Sequence, residues 1–200
     1  MITIALERRA RSDRETMHRA GLAAATRAAK RVRDASRARG ARISIEKDSC
    51  GKPQARIGSR RFPLSISHAG VLAIGVAASQ RSLLIGADIE RIRQFASETR
   101  VAFLTPQERA VIETQPVASR ARLDTLAWSI KESAQKALGV GLHLDPQAVD
   151  CSDVLRDQCS GPYALKIRDK SVAVRAQLGN VGASHVFACI ALPRNSLYCL

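Results

Sequence analysis

The sequence predicts an α+β fold, and three observations support this class. Apolar residues recur at spacings of three and four across residues 13–39, which is the period of one long helix. Alternating or continuous apolar segments follow between residues 41 and 90, and such segments are typical of strands. Helical patterns then return near residue 105 and give way to strands in the C-terminal tail. Helices and strands in separate runs, rather than in regular alternation, favour an α+β arrangement.

The first elements are predicted to be one helix, one strand and a turn. The apolar stripe of the helix consists of Met17, Ala20, Ala24, Ala28, Val32 and Ala35. Gly40 is the expected C-cap, because glycine tolerates the left-handed conformation at which helices end. Residues 41–46 alternate between apolar and polar types, as a half-buried strand does, and residues 47–53 are expected to form a turn.

The remaining elements follow from the same patterns. Residues 62–78 are predicted as a strand pair or one long strand, interrupted by the polar and small residues 65–70. Residues 82–90 form a further strand that turns acidic at its end. Thr105, Pro106 and Glu108 open a helix with a capping box. The last predicted elements are a helix over residues 123–138, ended by Gly139, and strands at residues 164–167, 172–177 and 185–192.

Positive charge is concentrated in the first third of the chain. The formal net charge is +14, in a composition that is 46% hydrophobic and 25% charged and therefore globular. Residues 1–61 contain 17 lysine and arginine residues against 6 acidic ones, whereas residues 62–200 contain 15 against 12. The expected partner is therefore an anion: nucleic acid, a phosphorylated small molecule, an acidic protein or an anionic membrane.

The cysteines and the N-terminus predict a cytoplasmic protein with reduced thiols. The five cysteines form no CxxC pair, so neither a zinc knuckle nor a redox pair is indicated; they are Cys50, Cys151, Cys159, Cys189 and Cys199. The apolar start is too short for a signal sequence, and the chain contains no apolar stretch of membrane-spanning length.

Two carboxylates, Asp88 and Glu90, lie at the end of the acidic strand. Residues two apart on a strand share a face, so both carboxylates point the same way while Ile89 packs behind them. Neighbouring carboxylates repel each other unless a cation lies between them, and Mg²⁺ prefers such hard oxygen ligands. The alternative is an exposed strand end, with Glu90 paired to Arg91 or Arg93.

The helix that contains Trp128 carries a second polar group, Glu132 and Lys136. These two residues are four apart and so are neighbours on one helix face, with Trp128 one turn earlier. In one interpretation Glu132 is a third metal ligand or a general base, and Lys136 stabilises a phosphate. In the other they form a surface ion pair of a few tenths of a kcal/mol beside a core tryptophan.

Two weaker features precede these. Ser67 and His68 stand at the strand interruption beside Gly70, where a phosphate contact is feasible, although a lone histidine is more often structural. Lys52 lies at the tip of a turn in the segment Gly51-Lys52-Pro53, a pattern shared by many surface turns.

In this order along the chain, the four features resemble the motifs of the 4'-phosphopantetheinyl transferases, and in particular the larger type that resembles the surfactin-synthetase activator. The matching segments are Gly51-Lys52-Pro53, Ser65-Ile66-Ser67-His68, Gly86-Ala87-Asp88-Ile89-Glu90 and the run from Trp128 to Lys136. Residues 103–108 resemble the family segment between the acidic strand and the tryptophan helix, and His18-Arg19 resembles its basic N-terminal helix.

The resemblance implies an activity and roles for the site residues. Family members transfer the phosphopantetheine arm of coenzyme A to a serine of an acidic acyl or peptidyl carrier protein and release adenosine 3',5'-bisphosphate. Asp88, Glu90 and Glu132 would hold Mg²⁺, and Glu132 would also be the general base. Lys136 would stabilise or protonate the leaving phosphate. Contacts to coenzyme A would come from Arg19, Lys52, Ser67, His68 and Lys136.

The larger family type also implies an architecture. It is a monomeric pseudo-dimer of two similar α+β lobes, each a small antiparallel sheet with a long helix, and coenzyme A binds between them. The expected lobes are residues 1–84, which are basic, and residues 85–200, which carry the metal ligands. Such proteins usually begin with a strand and about twenty further residues before the basic helix. This chain is expected to lack them, at least in part, with residues 1–6 as a partial replacement.

Three other functions remain as alternatives. The basic N-terminal third is typical of nucleic-acid-binding proteins, although aromatic residues make up only 4% of the chain and leave little for base stacking. A magnesium-dependent nuclease would also use Asp88, Glu90 and a distant glutamate. A transferase inactivated by its short N-terminus is the third alternative. For the transferase itself, binding to a membrane or to nucleic acid is not expected.

Overall fold

The computed structural model describes residues 1–36, 38–49 and 51–199, except for the side chains of residues 142 and 197–199. Arg37, within the predicted first helix, and Cys50 lie outside the described residues, as does the side chain of Cys199. Among the described residues, no helix combines the length and the apolar character that crossing a membrane requires.

Helices and strands occupy separate parts of each half, and the α+β class is confirmed. The first seven elements along the chain are β1 (Ile2–Arg8), α1 (Arg14–Ala35), β2 (Ile43–Lys47), β3 (Pro53–Ile57), β4 (Arg60–Ala69), β5 (Leu72–Ala78) and β6 (Leu83–Arg91). They are followed by α2 (Ser97–Phe103), α3 (Pro106–Glu113), α4 (Val117–Leu138), β7 (Val149–Asp150), α5 (Ser152–Asp157), β8 (Gly161–Ile167), β9 (Lys170–Val181) and β10 (His185–Pro193). Short 3-10 helices cover Gly141–His143, Pro146–Ala148 and Arg194–Cys199.

The two halves repeat one topology. The first sheet has the strand order β1-β5-β4-β3-β2 and the second has β6-β10-β9-β8-β7, so each strand of the first sheet has a counterpart five strands later. All the strand pairs are antiparallel. A helix of 22 residues packs on each sheet, α1 on the first and α4 on the second. The chain is thus built of two similar α+β lobes, as expected, while the division at residues 84 and 85 stays a prediction.

Strand β1 occupies the segment in which residues 1–6 were expected to replace part of an N-terminal strand. Ile2–Arg8 pairs along its whole length with β5, from Ile2 opposite Ala78 to Arg8 opposite Leu72. Thr3 and Ala5 are buried beneath α1, and the Thr3 hydroxyl donates to the Ala28 carbonyl at 3.0 Å. The first lobe therefore has a complete five-stranded sheet.

Helix α1 packs closely on its sheet because its buried face is small. This face comprises Met17, Ala20, Gly21, Ala24, Ala25, Ala28, Ala29 and Val32. Beneath it Gly75 of β5 has no side chain, and a Cβ there would lie 2.3 Å from the Ala25 nitrogen. The helix ends earlier than the periodicity predicts. Ser36, rather than Gly40, is the C-cap, with its N–H donating to the Val32 and Arg33 carbonyls.

In the second lobe, too, a glycine on a strand lets the helix pack closely on the sheet. A Cβ on Gly86 of β6 would lie 1.9 Å from the Ser133 carbonyl oxygen, so only glycine allows α4 to rest this close to the strand. Helix α4 begins at Val117, six residues before the predicted start, and ends as predicted with Gly139 in the left-handed region at φ 75°. The capping box of α3 is present in full between Thr105 and Glu108.

The lobes meet through an apolar layer and a pair of serines. Residues from β5, β6 and β10 form the layer, among them Ile74, Ile85 and Ile89. Beside it, the Ser65 hydroxyl of β4 accepts a hydrogen bond from the Ala87 N–H of β6 at 2.9 Å, and Ser67 donates to Asp88. The polar interruption of β4 therefore lies against the acidic strand.

Candidate active site

A cleft of about 710 Å³ lies between the two lobes where β4 and β6 run side by side. Strand β6 contributes Asp88 and Glu90, helix α4 contributes Glu132 and Lys136, and the opposite wall comes from α1, β2 and β4. The predicted residues that line it are Ser67, His68, Asp88, Glu90, Glu132 and Lys136. Six of the eight predicted site residues are thus brought together.

Asp88 is the most buried of the cleft carboxylates, with 2% of its surface exposed. Its Oδ1 atom accepts hydrogen bonds from the Ser67 hydroxyl at 2.7 Å and from Lys136 Nζ at 2.6 Å. Its Oδ2 atom is also buried and has no hydrogen-bond partner in the described part of the chain. A buried carboxylate oxygen without a donor is costly, and a cation removes that cost.

Lys136 is the cation of this cluster. Its Nζ lies 2.6 Å from Asp88 Oδ1, 3.1 Å from Glu132 Oε2 and 3.3 Å from the Ser67 hydroxyl. Burial by itself would lower the pKa of Lys136, but the Asp88 and Glu132 carboxylates outweigh it and raise the pKa above its usual value. Lys136 is therefore charged at neutral pH.

Glu90 differs from its neighbours because no ammonium group is paired with it among the described residues. Burial raises the pKa of Glu90 to about 7, and the Asp88 and Glu132 carboxylates add to the rise against the opposing effect of Arg93 and Lys136. Four carboxylates and two lysines line the cleft: Glu46, Asp88, Glu90, Glu132, Lys47 and Lys136. Such a surplus of negative charge favours a bound cation.

The donor chemistry of the cleft fits Mg²⁺. Hard carboxylate oxygens are the ligands that this ion takes, and Asp88 Oδ2 is buried and unpartnered. Within residues 1–36, 38–49 and 51–199, no three Asp, Glu, His or Cys side chains converge as a metal cluster. Lys136 draws Asp88 and Glu132 towards itself in this arrangement. Asp88 Oδ2 and the Glu90 carboxylate form no ion pair with an ammonium group among the described residues.

His68 and Ser67 occupy different depths of the same wall. Ser67 is 9% exposed and bonded to Asp88, whereas His68 is exposed at the mouth of the cleft. Strand alternation explains this difference, since successive side chains of β4 point to opposite faces. His68 is accessible to a ligand, and Ser67 instead orients Asp88.

Lys52 belongs to an adjoining cavity of about 410 Å³, which shares Lys136 with the cleft. Its Nζ donates to the Ala137 carbonyl of α4 at 2.7 Å. Burial lowers the pKa of Lys52 to about 8; Arg194 lowers it further and Asp48 opposes the change. Lys52 thus ties the first lobe to the C-terminal end of α4.

Arg19 does not line the cleft. Its guanidinium is 75% exposed and lies 2.5 Å from Glu15, one turn earlier on α1. The residue before it, His18, lines the cleft instead, together with Met17 and Gly21. The role of Arg19 in binding coenzyme A stays a prediction. Position along α1 decides which face a residue occupies, because successive residues of a helix point in different directions.

Two further residues of the cleft were not singled out from the sequence. Glu46 and Lys47 end strand β2 and line the wall opposite α4. The sequence contained no signal for their role, because their strand and β3 are held together by pairing that only the folded lobe provides.

The tryptophan helix is anchored by residues outside the cleft. Trp128 packs edge-on against Phe103, with ring centroids 5.4 Å apart, and is not a cleft residue. Lys131, next to Glu132, is fully buried, and its Nζ lies 2.9 Å from Glu108 Oε1. These contacts hold α4 in the position from which Glu132 and Lys136 reach the cleft.

A family model of the 4'-phosphopantetheinyl transferase superfamily matches residues 84–190, more than half of the chain. The chain belongs to this superfamily. A search of curated proteins returns no match. As a phosphopantetheinyl transferase, the chain acts in phosphopantetheinyl transfer, with coenzyme A as the substrate.

The matched region includes only part of the cleft. Asp88, Glu90, Glu132 and Lys136 lie within the matched residues, on β6 and α4. The first-lobe wall, with Ser67 and His68, lies before the matched residues. The match therefore covers the cleft residues of β6 and α4 and leaves the wall formed by α1, β2 and β4 outside it.

Proposed function

We propose that the chain transfers the 4'-phosphopantetheine arm of coenzyme A to a serine hydroxyl of an apo acyl or peptidyl carrier protein. The reaction is Mg²⁺-dependent and releases adenosine 3',5'-bisphosphate, as in a holo-acyl-carrier-protein synthase. The observation that carries the proposal is the cleft between two similar lobes, where Lys136 pairs with Asp88 and Glu132 and where Glu90 lines the same wall. The two-lobed topology also supports the larger, pseudo-dimeric type, acting as a monomer. The cytoplasmic location stays a prediction.

Glu132 is the proposed general base. The serine Oγ attacks the phosphorus that carries the pantetheine arm, its proton passes to the Glu132 carboxylate directly or through a water molecule, and the bond to the bridging pyrophosphate oxygen breaks. Glu132 is partly exposed to the cleft, with 22% of its side chain accessible, so a substrate hydroxyl can approach it.

Asp88 and Glu90 would hold Mg²⁺, with Glu132 as the third proposed ligand. When bound, the ion neutralises charge on the pyrophosphate oxygens. Lys136 is the proposed partner of the leaving phosphate. Because its pKa is raised, the side chain is protonated at neutral pH and can stabilise or protonate that phosphate.

Nothing in the cleft favours the nucleic-acid-binding alternative. Several cations of α1 are engaged within the first lobe: Arg27 pairs with Glu7, Arg31 donates to the Ile4 carbonyl and Arg33 pairs with Asp34. These contacts reduce the charge that α1 can offer to a phosphate backbone. A transferase inactivated by its short N-terminus stays an alternative, although β1 pairs with β5 along its whole length.

The test is conversion of apo to holo carrier protein, measured by intact-protein mass spectrometry. The chain, coenzyme A and Mg²⁺ are incubated with apo carriers of the fatty-acid, polyketide and peptide-synthetase types. The expected result is a mass gain of one phosphopantetheine arm and its loss when Mg²⁺ is chelated. If the folded protein modifies no carrier, the proposal is wrong.

Matched variants test the residue roles. Glu132→Gln should lower the transfer rate by a factor on the order of 10² to 10⁴, the usual contribution of a general base. Asp88→Asn should also lower the rate, because a neutral amide is a weaker ligand for Mg²⁺. Neither change should alter the circular dichroism spectrum. Glu98→Gln removes an exposed carboxylate of α2 and serves as the control. Full activity in Asp88→Asn or Glu132→Gln would refute the assigned roles.

A further inference from the structure

A further cavity, of about 600 Å³, lies where the ends of several strands from both lobes meet. We call it the strand-end pocket; it is lined by residues of β1, β5, β6, β9 and β10 and by the turns beside them, including Leu6, Arg8, Val71, Arg91, Val181 and His185. None of the proposed catalytic residues lines it.

The rim of the strand-end pocket is positively charged. Arg8 ends β1 and Arg91 ends β6, and both are exposed. Neither guanidinium forms an ion pair or a side-chain hydrogen bond with any residue that the structure describes. Glu7 also lines the pocket, but its carboxylate pairs with Arg9 at 3.1 Å and with Arg27. The two rim arginines therefore carry charge that the fold itself does not use.

A buried histidine adds an unused polar atom. His185 is 7% exposed, and its Nδ1 lies 2.9 Å from the Ser184 hydroxyl. Its Nε2 is buried and has no hydrogen-bond partner among the described residues. Burial lowers the pKa of His185 and the nearby charges of Arg91 and Arg8 lower it further, so both guanidinium groups act on this imidazole. At neutral pH the imidazole is therefore uncharged, and the positive charge beside it comes from Arg8 and Arg91.

The floor of the pocket is apolar. Leu6 is 40% exposed, one of the more exposed large apolar residues of the chain, and Val71, Leu72 and Val181 lie beside it. A free inorganic anion would gain nothing from these side chains. An aliphatic side chain flanked by carboxylates, as on the surface of an acidic protein, would use both the floor and the rim.

The pocket adjoins the cleft along the chain and in the sheet. Arg91 directly follows Glu90 in β6; Arg91 pairs with His185 of β10, and Glu90 pairs with Val186. Gly70 lines the pocket two residues after His68, which lines the cleft. A protein that presents a serine to the cleft can therefore reach the pocket with neighbouring side chains.

We propose that the strand-end pocket is a docking site for the acidic carrier protein, which places an aliphatic side chain on the apolar floor and carboxylates against Arg8 and Arg91. This inference rests on the proposed function. It assigns to these arginines a role in recognising the carrier, separate from binding coenzyme A.

The experiment compares two double variants with equal changes in net charge. Arg8→Glu/Arg91→Glu reverses the rim, and Arg60→Glu/Arg81→Glu reverses two exposed arginines that do not line the pocket. The rim variant should raise the KM for the carrier at least about 10-fold and leave kcat and the KM for coenzyme A unchanged, because rim charges act mainly on association. The control should differ little from the wild type, and the gap between the variants should narrow as salt is added.

The outcomes separate this inference from the proposed function. If the wild type modifies carriers and the rim variant matches the control, the docking site is wrong and the transferase function stands. If the rim variant changes the KM for coenzyme A instead, the pocket binds a phosphate-bearing small molecule and docking is again refuted. If the wild type modifies no carrier, both proposals fail. Arg8→Gln/Arg91→Gln replaces the rim variant if thermal unfolding shows that charge reversal disturbs the fold.

Discussion

The buried ion pair between Glu108 and Lys131 offers a test of how α4 is held. Replacing Glu108 by Gln removes the negative charge and leaves Lys131 in a site where 1% of its side chain is accessible. Lys131 would keep only the carbonyls of Pro146, at 3.0 Å, and Val149 as partners. Glutamine retains one oxygen, which can still accept a hydrogen bond from the Thr105 N–H, but its amide NH2 then takes the place of Oε1, which accepts from the Cys151 N–H at 2.8 Å. The variant therefore removes the charge and one buried acceptor together.

The magnitude follows from the cost of an unpaired buried charge. Removing one partner of a buried pair costs about 3–5 kcal/mol, which is a large part of the roughly 5–15 kcal/mol that stabilises a typical protein. Glu108→Ala would also remove the capping box of α3 and cost about 1 kcal/mol more. The double variant Glu108→Gln/Lys131→Met removes both charges, keeps an acceptor for the Thr105 N–H and should recover most of the loss.

Urea denaturation followed by the fluorescence of Trp128, the chain's single tryptophan, measures these free energies of unfolding. Trp128 lies on α4 itself, one turn before Lys131, so its signal reports on the perturbed helix. The reasoning is refuted if Glu108→Gln lies within about 1 kcal/mol of the wild type, or if the double variant is no more stable than Glu108→Gln.

Three further predictions concern packing, titration and thiol chemistry. Gly86→Ala forces a methyl group against the Ser133 carbonyl at 1.9 Å and should lower the free energy of unfolding by about 1–3 kcal/mol or more, measured by urea denaturation. Because the pKa of Lys52 falls from its usual 10.5 to about 8 on folding, the unfolded chain binds more protons between these values. The wild type should therefore gain stability relative to Lys52→Met as the pH rises from about 8 to 10.5, measured by denaturation at each pH. Iodoacetamide at pH 8 should modify the exposed Cys159 before Cys189, since burial raises the pKa of the Cys189 thiol to about 12; peptide mapping gives the order.

Each of these has a result that contradicts it. Gly161→Ala is the packing control, because a Cβ there meets only a Tyr163 side-chain atom at 3.8 Å, and equal losses in the two glycine variants would contradict the close approach of α4. A constant difference in the free energy of unfolding between the wild type and Lys52→Met across the pH range would contradict the lowered pKa of Lys52. Equal labelling rates of Cys159 and Cys189 in the folded protein would contradict the burial of the second thiol.

Much of the fold was predictable where the cause is local. The capping box between Thr105 and Glu108 involves residues three apart, and it forms as predicted. The end of helix α4 at Gly139 also has a local cause, since glycine adopts the left-handed conformation there without strain. By contrast, the short strand β3 was not predicted. Its residues alternate only weakly, and it exists because β2 and β4 pair with it on both sides.

The site divides in the same way. Asp88 and Glu90 on one strand face, and Glu132 and Lys136 on one helix face, follow from the periods of strand and helix. Their meeting does not, because Lys136 reaches Asp88 across 48 residues of sequence. The surface position of Arg19 and the cleft position of His18 also depend on the angle at which α1 lies on its sheet.

The sequence by itself determined the α+β class, the two acidic elements, the family resemblance and the basic character of the first third. These properties depend on residue type and on spacings of two to four residues, which no tertiary contact can alter. The tertiary structure alone decided which charges are used internally and which are left for a partner. Lys131 forms an ion pair with Glu108, and Lys136 forms ion pairs with Asp88 and Glu132. By contrast, Arg8 and Arg91 form no ion pair within the described chain. The reason is physical: the interaction of two charges depends on their distance and burial, and both are set only when the two lobes pack.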